Sequence, residues 1–154
     1  MIVVRTVIAI ALFGLTAQPA AAQAPALSAR DAAVVAIERG IWDHIAAGRW
    51  EAVQSSLDGV FSVDARNIFA WGTADTGRLR TAFGICGLAG FTIRDAQTRD
   101  VTADVVVLGY RIDMELKCRT TTSTRTTRYI STYRRRGDGW ELVASGIVAA
   151  AQAP

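Results

Sequence analysis

VVLGYRIDMELKC, residues 106–118, is the stretch that decides the fold. Its apolar side chains occupy every second position from Val106 to Cys118, and Arg111, Asp113 and Glu115 occupy positions between them. A period of two places the apolar side chains on one face of a β-strand and the charged ones on the other. The stretch therefore predicts a strand with one face in a core and the other in solvent.

Further strands are expected around this one. The chain has β character from Phe91 onward, residues 120–135 are rich in threonine and tyrosine, and residues 140–148 complete the pattern. Between the last two stretches, Arg136-Gly-Asp-Gly139 is typical of a hairpin turn.

A long helix is expected near the start of the domain. Ser28 and Asp31 have the spacing of a capping box, and the helix should continue to about Ala47 and be ended by Gly48. Its apolar residues fall on one stripe that faces a core, namely Val34, Ile37, Ile41 and Ile45.

Shorter elements should connect this helix to the strands. We expect a second helix over residues 50–57, a strand over 60–63 and a short strand within 67–72. A small third helix is expected over residues 78–83, capped by Asp75 or Thr76 and followed by a stretch that Gly84, Gly87 and Gly90 break up. Helices followed by a meander of antiparallel strands predict an α+β fold, with a curved sheet that packs helices on one face.

Composition excludes several classes of protein. The chain has 154 residues, which suits one domain, and its 51% hydrophobic and 20% charged residues exclude wholesale disorder. A net charge of +3 does not require a nucleic-acid partner. One histidine and two cysteines are too few for the usual zinc site. No metal and no cofactor are therefore expected.

The first 22 residues are predicted to be a signal peptide. Arg5 precedes an apolar core at residues 6–15, and three alanines at 20–22 give the pattern of a cleavage site. The core is too short to span a bilayer, so no stable membrane anchor is expected after cleavage. These features predict a bacterial periplasmic or secreted protein, with its domain at residues 28–148 and a frayed tail at 149–154.

Two cysteines, Cys86 and Cys118, would reach that oxidising compartment together. They either form a disulfide, which such compartments preserve, or remain buried as small apolar side chains. The sequence does not place their Cα atoms and leaves both possibilities open.

Three motifs in order resemble the nuclear transport factor 2-like superfamily, especially its SnoaL-like proteins and bacterial groups of unknown function. They are ERGIWDHIAAGRWEA at residues 38–52, FSVD at 61–64 and YRRRGDGWEL at 133–142. The resemblance implies a cone-shaped α+β barrel, whose curved antiparallel sheet wraps around the long helix and leaves a pocket at the wide end. It also implies a homodimer that forms through the sheet, and Val105 and Val107 on the outer face favour one. It does not imply one function.

Ketosteroid-isomerase-type members of that superfamily place a base where Asp64 lies in this sequence. Their two oxyanion donors, a tyrosine and a protonated acid, would fall near Ile41 and Ser131. Neither residue can replace its donor, so isomerisation by that set of residues is not expected.

Three residues are candidates for catalysis. Glu38 lies inside the apolar stripe of the long helix, where a carboxylate is costly unless it is paired or protonated. It is either a pocket acid or base, or the structural partner of an arginine or tyrosine from the facing sheet. His44 is a candidate general base or a structural residue near a helix end. Asp64 is a candidate base or a strand-end turn residue.

A pocket in such a barrel would be lined by one acid and several aromatic residues. The candidates for ligand binding are Glu38, Trp42, Trp71, Tyr110 and Tyr129, and the alternative for the aromatic residues is a purely structural place in the core. Six arginines between residues 119 and 136 could bind phosphates or form a solvated sheet edge. No array of stacking aromatics accompanies them, so nucleic acid is not an expected partner.

Three functions remain open at this level. The first is an exported protein that binds a small hydrophobic or amphipathic molecule in the barrel pocket. The second is a cofactor-free enzyme of lyase, isomerase or hydrolase type that uses a single pocket acid or base. The third is a dimeric structural or interaction module.

Overall fold

The computed structural model describes residues 27–64 and 68–148. The predicted signal peptide and the predicted tail lie outside these ranges. Three helices and six strands follow one another within them. They are α1 (Ala29–Ala46), α2 (Trp50–Leu57), β1 (Phe61–Val63), β2 (Ile68–Ala70), α3 (Thr73–Ile85), β3 (Gly87–Thr102), β4 (Val105–Cys118), β5 (Thr121–Arg136) and β6 (Gly139–Val148).

The long helix α1 begins at the predicted capping box. The Asp31 backbone N–H donates to Ser28 Oγ at 3.1 Å, which satisfies one of the N–H groups left open at a helix start. The chain leaves the helix through Gly48, whose φ of +65° favours glycine. One side of α1 is buried, as the apolar stripe predicted.

All six strands form one sheet in the order β2-β1-β6-β5-β4-β3. Neighbouring strands are antiparallel except β1 and β6, which pair in parallel over three residues. The sequence predicted an antiparallel meander and gave no sign of this parallel pairing, because it joins segments far apart in the chain. Register shifts along β3 and within the β5–β6 pairing interrupt the ladder and let the sheet bend.

Strand β4 confirms the alternation that decided the fold. Val106, Leu108 and Ile112 are fully buried, and Tyr110 and Met114 nearly so. They face the helices from the concave side of the sheet. The architecture is therefore the predicted α+β class, with the N-terminal helices packed against the sheet.

The segment after β2 differs from the prediction. Helix α3 starts at Thr73, and its N-cap is Gly72 rather than Asp75 or Thr76. The Asp75 carboxylate instead accepts the Gly72 backbone N–H at 3.1 Å from inside the first turn. Glycines expected to break up the next segment lie within regular elements, Gly84 in α3 and Gly87 and Gly90 in β3. The β3–β4 pairing supplies the backbone hydrogen bonds there and overrides the weak strand propensity of glycine.

Cys86 and Cys118 form a disulfide, with their Cα atoms 4.1 Å apart. Cys86 caps the C-terminus of α3 and Cys118 is the last residue of β4. The bridge thus fixes the end of α3 to the sheet. Within the described ranges, no helix has both the length and the apolar character needed to cross a membrane.

Candidate functional site

Glu38 lies in the middle of α1 on its buried side and is only 4% exposed. The Tyr110 hydroxyl, from β4, donates to Glu38 Oε2 at 2.9 Å. Trp42 Nε1 in turn donates to the Tyr110 hydroxyl at 3.0 Å. This chain of bonds confirms the prediction that Glu38 contacts an arginine or tyrosine of the facing sheet.

Three polar atoms on this concave face form no well-aligned hydrogen bond with the described residues, although the Tyr133 hydroxyl lies within reach of the Glu38 carboxylate. They are Glu38 Oε1, Ser131 Oγ and the Tyr133 hydroxyl. Alternation along β5 directs Ser131 and Tyr133 to the side that α1 covers, and both are almost completely buried. A buried polar atom without a partner costs about 1–3 kcal/mol, so this cluster is expensive as a purely structural feature.

Burial keeps the tyrosines of this face protonated. It raises the pKa of Tyr110 and of Tyr133 far above the usual range, and the nearby charge of Glu38 adds to both effects. Burial also raises the pKa of Tyr129 to about 12. At neutral pH these hydroxyls are therefore hydrogen-bond donors.

A small chamber of about 80 Å³ lies between α1 and the sheet. All five residues predicted to bind a ligand line it, namely Glu38, Trp42, Trp71, Tyr110 and Tyr129. Its other walls are Ile41, Ile45, Leu57, Leu79, Ser131, Leu142 and Ser145. We call this space the inner chamber.

Hydrogen bonds and ring contacts hold the aromatic walls in place. Trp71 Nε1 donates to Ser62 Oγ at 2.6 Å, and Ser62 Oγ is 2.9 Å from Ser145 Oγ. The Tyr129 ring stacks on Tyr110, with centroids 5.5 Å apart. The Trp42 ring contacts Tyr129 edge-on, and the centroids of these two rings are also 5.5 Å apart. The inner chamber is therefore formed before any ligand arrives.

A second, wider space of about 250 Å³ adjoins it, and we call it the outer chamber. Trp42, Leu79 and Tyr129 line both chambers. Helix α3 supplies one wall through Leu79, Ala82 and Phe83, and the sheet supplies the other through Met114, Leu116, Thr127 and Ile147. Cys86 and Arg125 complete the lining.

The other two catalytic candidates lie elsewhere. Asp64 follows β1 and lines a separate cleft, which shares Trp71 and Leu79 with the inner chamber but lies on their other side. His44 Nδ1 accepts a hydrogen bond from Arg49 Nε at 2.9 Å, near the end of α1, and lines neither chamber. Of the three candidates, Glu38 is thus the one that lines the inner chamber.

The described residues offer no metal centre. Within 27–64 and 68–148, no three side chains of histidine, cysteine, aspartate or glutamate come together in a way that could hold an ion. The chemistry available in the inner chamber is that of one carboxylate, several hydroxyls and an indole N–H.

Sequence analysis missed several residues of the site. Ser131 was considered only as the place of a missing acid, and Arg125 only as one of six arginines that could bind phosphates or form a solvated sheet edge. Tyr133 and Ser145 had no predicted role. The alternation of side chains along β5, followed in both directions from Tyr129, would have placed three of them on the concave face: Ser131, Tyr133 and Arg125. Ser145 was harder to find because a register shift interrupts the β5–β6 pairing two residues before it.

No family model matches the chain, and no curated protein matches it. Several solved structures, however, are similar to the chain. An NTF2-like protein of unknown function in nutrient uptake from Rhodospirillum rubrum shares 21% identity over 76% of this chain and 98% of its own, with a TM-score of 0.61.

Two further structures resemble the chain equally well. A scytalone dehydratase-like protein from Novosphingobium aromaticivorans shares 10% identity over 77% of this chain and 83% of its own, with a TM-score of 0.64. The CaMKII hub homology domain of Chlamydomonas reinhardtii shares 16% identity over 80% of this chain and 99% of its own, with a TM-score of 0.66. At these identities the likeness establishes the fold alone, and it confirms the fold that the three sequence motifs predicted.

Proposed function

We propose that this chain, which has the nuclear transport factor 2-like fold, binds a small amphipathic molecule whose hydroxyl or amine end enters the inner chamber. One observation carries the proposal. Glu38 Oε1, Ser131 Oγ and the Tyr133 hydroxyl are buried together, and none of them forms a well-aligned hydrogen bond within the described part of the chain. A ligand that forms hydrogen bonds with these atoms would recover the free energy that is lost when they are buried without them.

The three atoms match a hydroxyl group better than an apolar one. A ligand hydroxyl can donate to Glu38 and accept from Ser131 Oγ, since both residues line the inner chamber. Each such bond contributes about 0.5–1.5 kcal/mol, and up to about 3 kcal/mol where the acceptor is charged. An ammonium group can donate to the carboxylate and to a hydroxyl oxygen, whereas a hydrocarbon would satisfy none of the three atoms.

The outer chamber fits the apolar body of such a ligand. Its walls are mainly Trp42, Leu79, Phe83, Met114 and Leu116. Its volume of about 250 Å³ falls near the lower end of the roughly 300–1,000 Å³ of small-molecule sites. The ligand is therefore a small molecule rather than a peptide or a nucleic acid.

Calorimetric titration with 1,10-decanediol tests the proposal. We expect saturable binding to the wild-type protein and roughly three- to tenfold weaker binding to Ser131→Ala, because one hydrogen bond to the hydroxyl is lost. Ser55→Ala, an exposed change on α2, is the matched control and should bind like wild type. Absence of binding, or equal affinity in all three proteins, would overturn the proposal.

Catalysis by Glu38 is the second candidate function. The unpartnered Oε1 in the inner chamber has the position that a general base needs, within reach of a bound proton donor. The enzyme would be of lyase, isomerase or hydrolase type and would use no cofactor. Mass spectrometry of molecules that co-purify from the native host tests this, because Glu38→Gln should retain a substrate that the wild type has converted. The same molecule in both proteins would argue for binding alone.

A homodimer is the third element of the proposal. Five exposed apolar residues lie on the convex face of neighbouring strands, and we call them the outer patch: Phe61, Val63, Ile68, Ile130 and Val148. Val63 and Ile130 approach each other across Gly146, whose missing side chain leaves the space between them. Val105 and Val107, on which the dimer was predicted, are half-buried on the same face of β4. Exposed apolar patches of this kind favour association.

We also propose that the protein works in the periplasm or outside the cell. The Cys86–Cys118 disulfide supports this location, because such bonds persist in oxidising compartments. Fractionation of the native host by osmotic shock would test it, and a cytoplasmic protein with reduced cysteines would contradict it.

A further inference from the structure

We infer that the outer chamber recognises an anionic group, a carboxylate, at the other end of the same ligand, and that Arg125 is the residue that binds it. This inference rests on the proposed function, since it concerns the same ligand. It narrows the ligand class to molecules with a hydroxyl at one end, a carboxylate at the other and an apolar body between them.

The position of Arg125 is the first observation. It lies on β5 opposite Met114, in the same alternation as Thr127 and Tyr129, which face the concave side. Arg125 is the single charged residue among those that line the outer chamber. A cation at the mouth of an otherwise apolar space gives that space a preference for an anion.

The second observation is that Arg125 lacks an acidic partner. Within the described ranges no carboxylate oxygen lies within 4 Å of its guanidinium. Arg128 also has no acidic partner among the described residues, but it lines neither chamber. The three arginines at the end of β5 are engaged. Arg134 and Arg136 pair with Glu141, and Arg135 pairs with Asp104 and covers the Trp140 ring. The fork of N–H donors on Arg125 thus remains available for an oxyanion, which it can bind through two parallel hydrogen bonds.

The distance between the two ends sets the length of the ligand. Arg125 and Tyr129 are four residues apart on β5, or about 13 Å at the rise of a strand. Tyr129 stacks on Tyr110, which holds Glu38. A ligand that places its hydroxyl at Glu38 and its carboxylate at Arg125 must therefore extend past this ring stack, along a stretch of strand of that order.

The two charges also fix the orientation. Glu38 at the deep end repels a carboxylate, whereas Arg125 at the mouth attracts one. A hydroxy acid should bind with its hydroxyl inward, and a dicarboxylate of the same length should bind less well because one of its charges must approach Glu38.

Titrations at low salt with 10-hydroxydecanoate, 1,10-decanediol and decanedioate test the inference. We expect the wild type to bind the hydroxy acid on the order of tenfold more tightly than the diol, which corresponds to about 1.4 kcal/mol. Decanedioate should bind more weakly than the hydroxy acid. Arg125→Gln should abolish the advantage of the hydroxy acid over the diol, and Arg125→Lys should retain part of it. Arg128→Gln, an exposed change on the same strand, is the matched control and should bind all three like wild type.

The outcomes separate this inference from the proposed function. If the diol binds in a Ser131-dependent way but the hydroxy acid has no advantage, or if Arg125→Gln keeps that advantage, the carboxylate site is overturned and the binding function stands. If neither the diol nor the hydroxy acid binds the wild type, both are overturned. Because Arg125 is exposed, its substitution should not affect folding, and circular dichroism of each variant would verify this.

Discussion

Glu38 illustrates how one buried carboxylate can be both a structural and a functional residue. One of its oxygens accepts a hydrogen bond from the Tyr110 hydroxyl, and the other is buried with no well-aligned hydrogen bond among the described residues. The bonded oxygen holds the helix to the sheet, whereas the unpartnered oxygen is available to a ligand. Substitutions that keep or remove the acceptor should therefore separate the two roles.

We expect Glu38→Leu to lower the free energy of unfolding by about 1–3 kcal/mol, because the Tyr110 hydroxyl then loses its buried acceptor. Glu38→Gln should be mild, since the amide oxygen can still accept that bond. Urea denaturation of both variants measures the difference. An equal loss of stability in the two variants would show that stability does not depend on an acceptor for the Tyr110 hydroxyl.

The sequence predicted Glu38, its type of partner and the aromatic walls of the inner chamber, but not the hydroxyls of Ser131 and Tyr133. A carboxylate within an apolar helical stripe already indicates a buried polar contact. Which strand residues face it depends on the register between β4 and β5, which sets Tyr110 opposite Tyr129 and Leu108 opposite Ser131. That register is a long-range property and leaves no local pattern in the chain.

Among the elements, α1 depends on its first turn for stability in acid. A hydrogen bond from the Ser28 side chain to the Asp31 carboxylate, together with side-chain hydrogen bonds from Thr98 and Arg30, lowers the pKa of Asp31 to about 2. A carboxyl whose pKa is lowered by folding stabilises the native state above its unfolded pKa near 3.8, and this contribution is lost as the pH falls towards 2. The effect belongs to the helix start and not to the pocket.

We expect the melting temperature of the wild type to fall more steeply between pH 4 and pH 2 than that of Asp31→Asn, which has no charge to lose. At neutral pH the variant should already be the less stable of the two. Thermal melts followed by circular dichroism would measure both differences. Parallel pH profiles for the two proteins would contradict the role given to Asp31.

The disulfide is the covalent tie between α3 and the sheet. Its loop spans 32 residues, for which the chain-entropy model gives about 3–4 kcal/mol. We expect the double variant Cys86→Ala/Cys118→Ala to lose stability of this order. It should also bind 1,10-decanediol more weakly, because α3 walls the outer chamber.

Intact-mass measurement after alkylation is the direct check on the bridge. The unreduced, denatured protein should carry no modified thiol, and the reduced protein should carry two. Two modified thiols without reductant would show that the bridge does not form in solution.

Elements with a clear period were predictable, and elements defined by distant partners were not. The alternation in β4 and the capped start of α1 are local signals, and both were found in the structure. Helix α3 is longer than predicted because its start is set by Gly72 and Asp75, and its end by the tie to β4. The early start of β3 likewise follows from pairing with β4, which glycine composition could not indicate.

At the scale of the whole molecule, the outer patch and the chambers lie on opposite faces of one sheet. The concave face carries the chambers proposed to bind a ligand, and the convex face carries the residues proposed for association. A second copy could therefore cover the outer patch without closing the pocket.

We expect sedimentation at tens of micromolar to show a dimer, and Val63→Lys/Ile130→Lys to convert it to a monomer, since two buried charges would oppose the contact. Ile85→Lys changes a still more exposed apolar residue, on α3, and serves as the control. A monomeric wild-type protein, or a dimer that survives the double change, would count against this surface.

The parallel pairing of β1 with β6 also determines how the chain reaches this structure. Ser62 and Ser145 meet across 83 residues, so β1 cannot join the sheet until nearly the whole domain has emerged from the ribosome. The hairpins of β3 to β6 are local and can form earlier, whereas the β1–β6 contact must close a long loop and should form late. Because Trp71 is hydrogen-bonded to Ser62, the wall of the inner chamber is completed in that same late step. A nascent chain that lacks its last strand would accordingly have a partial sheet but no finished pocket.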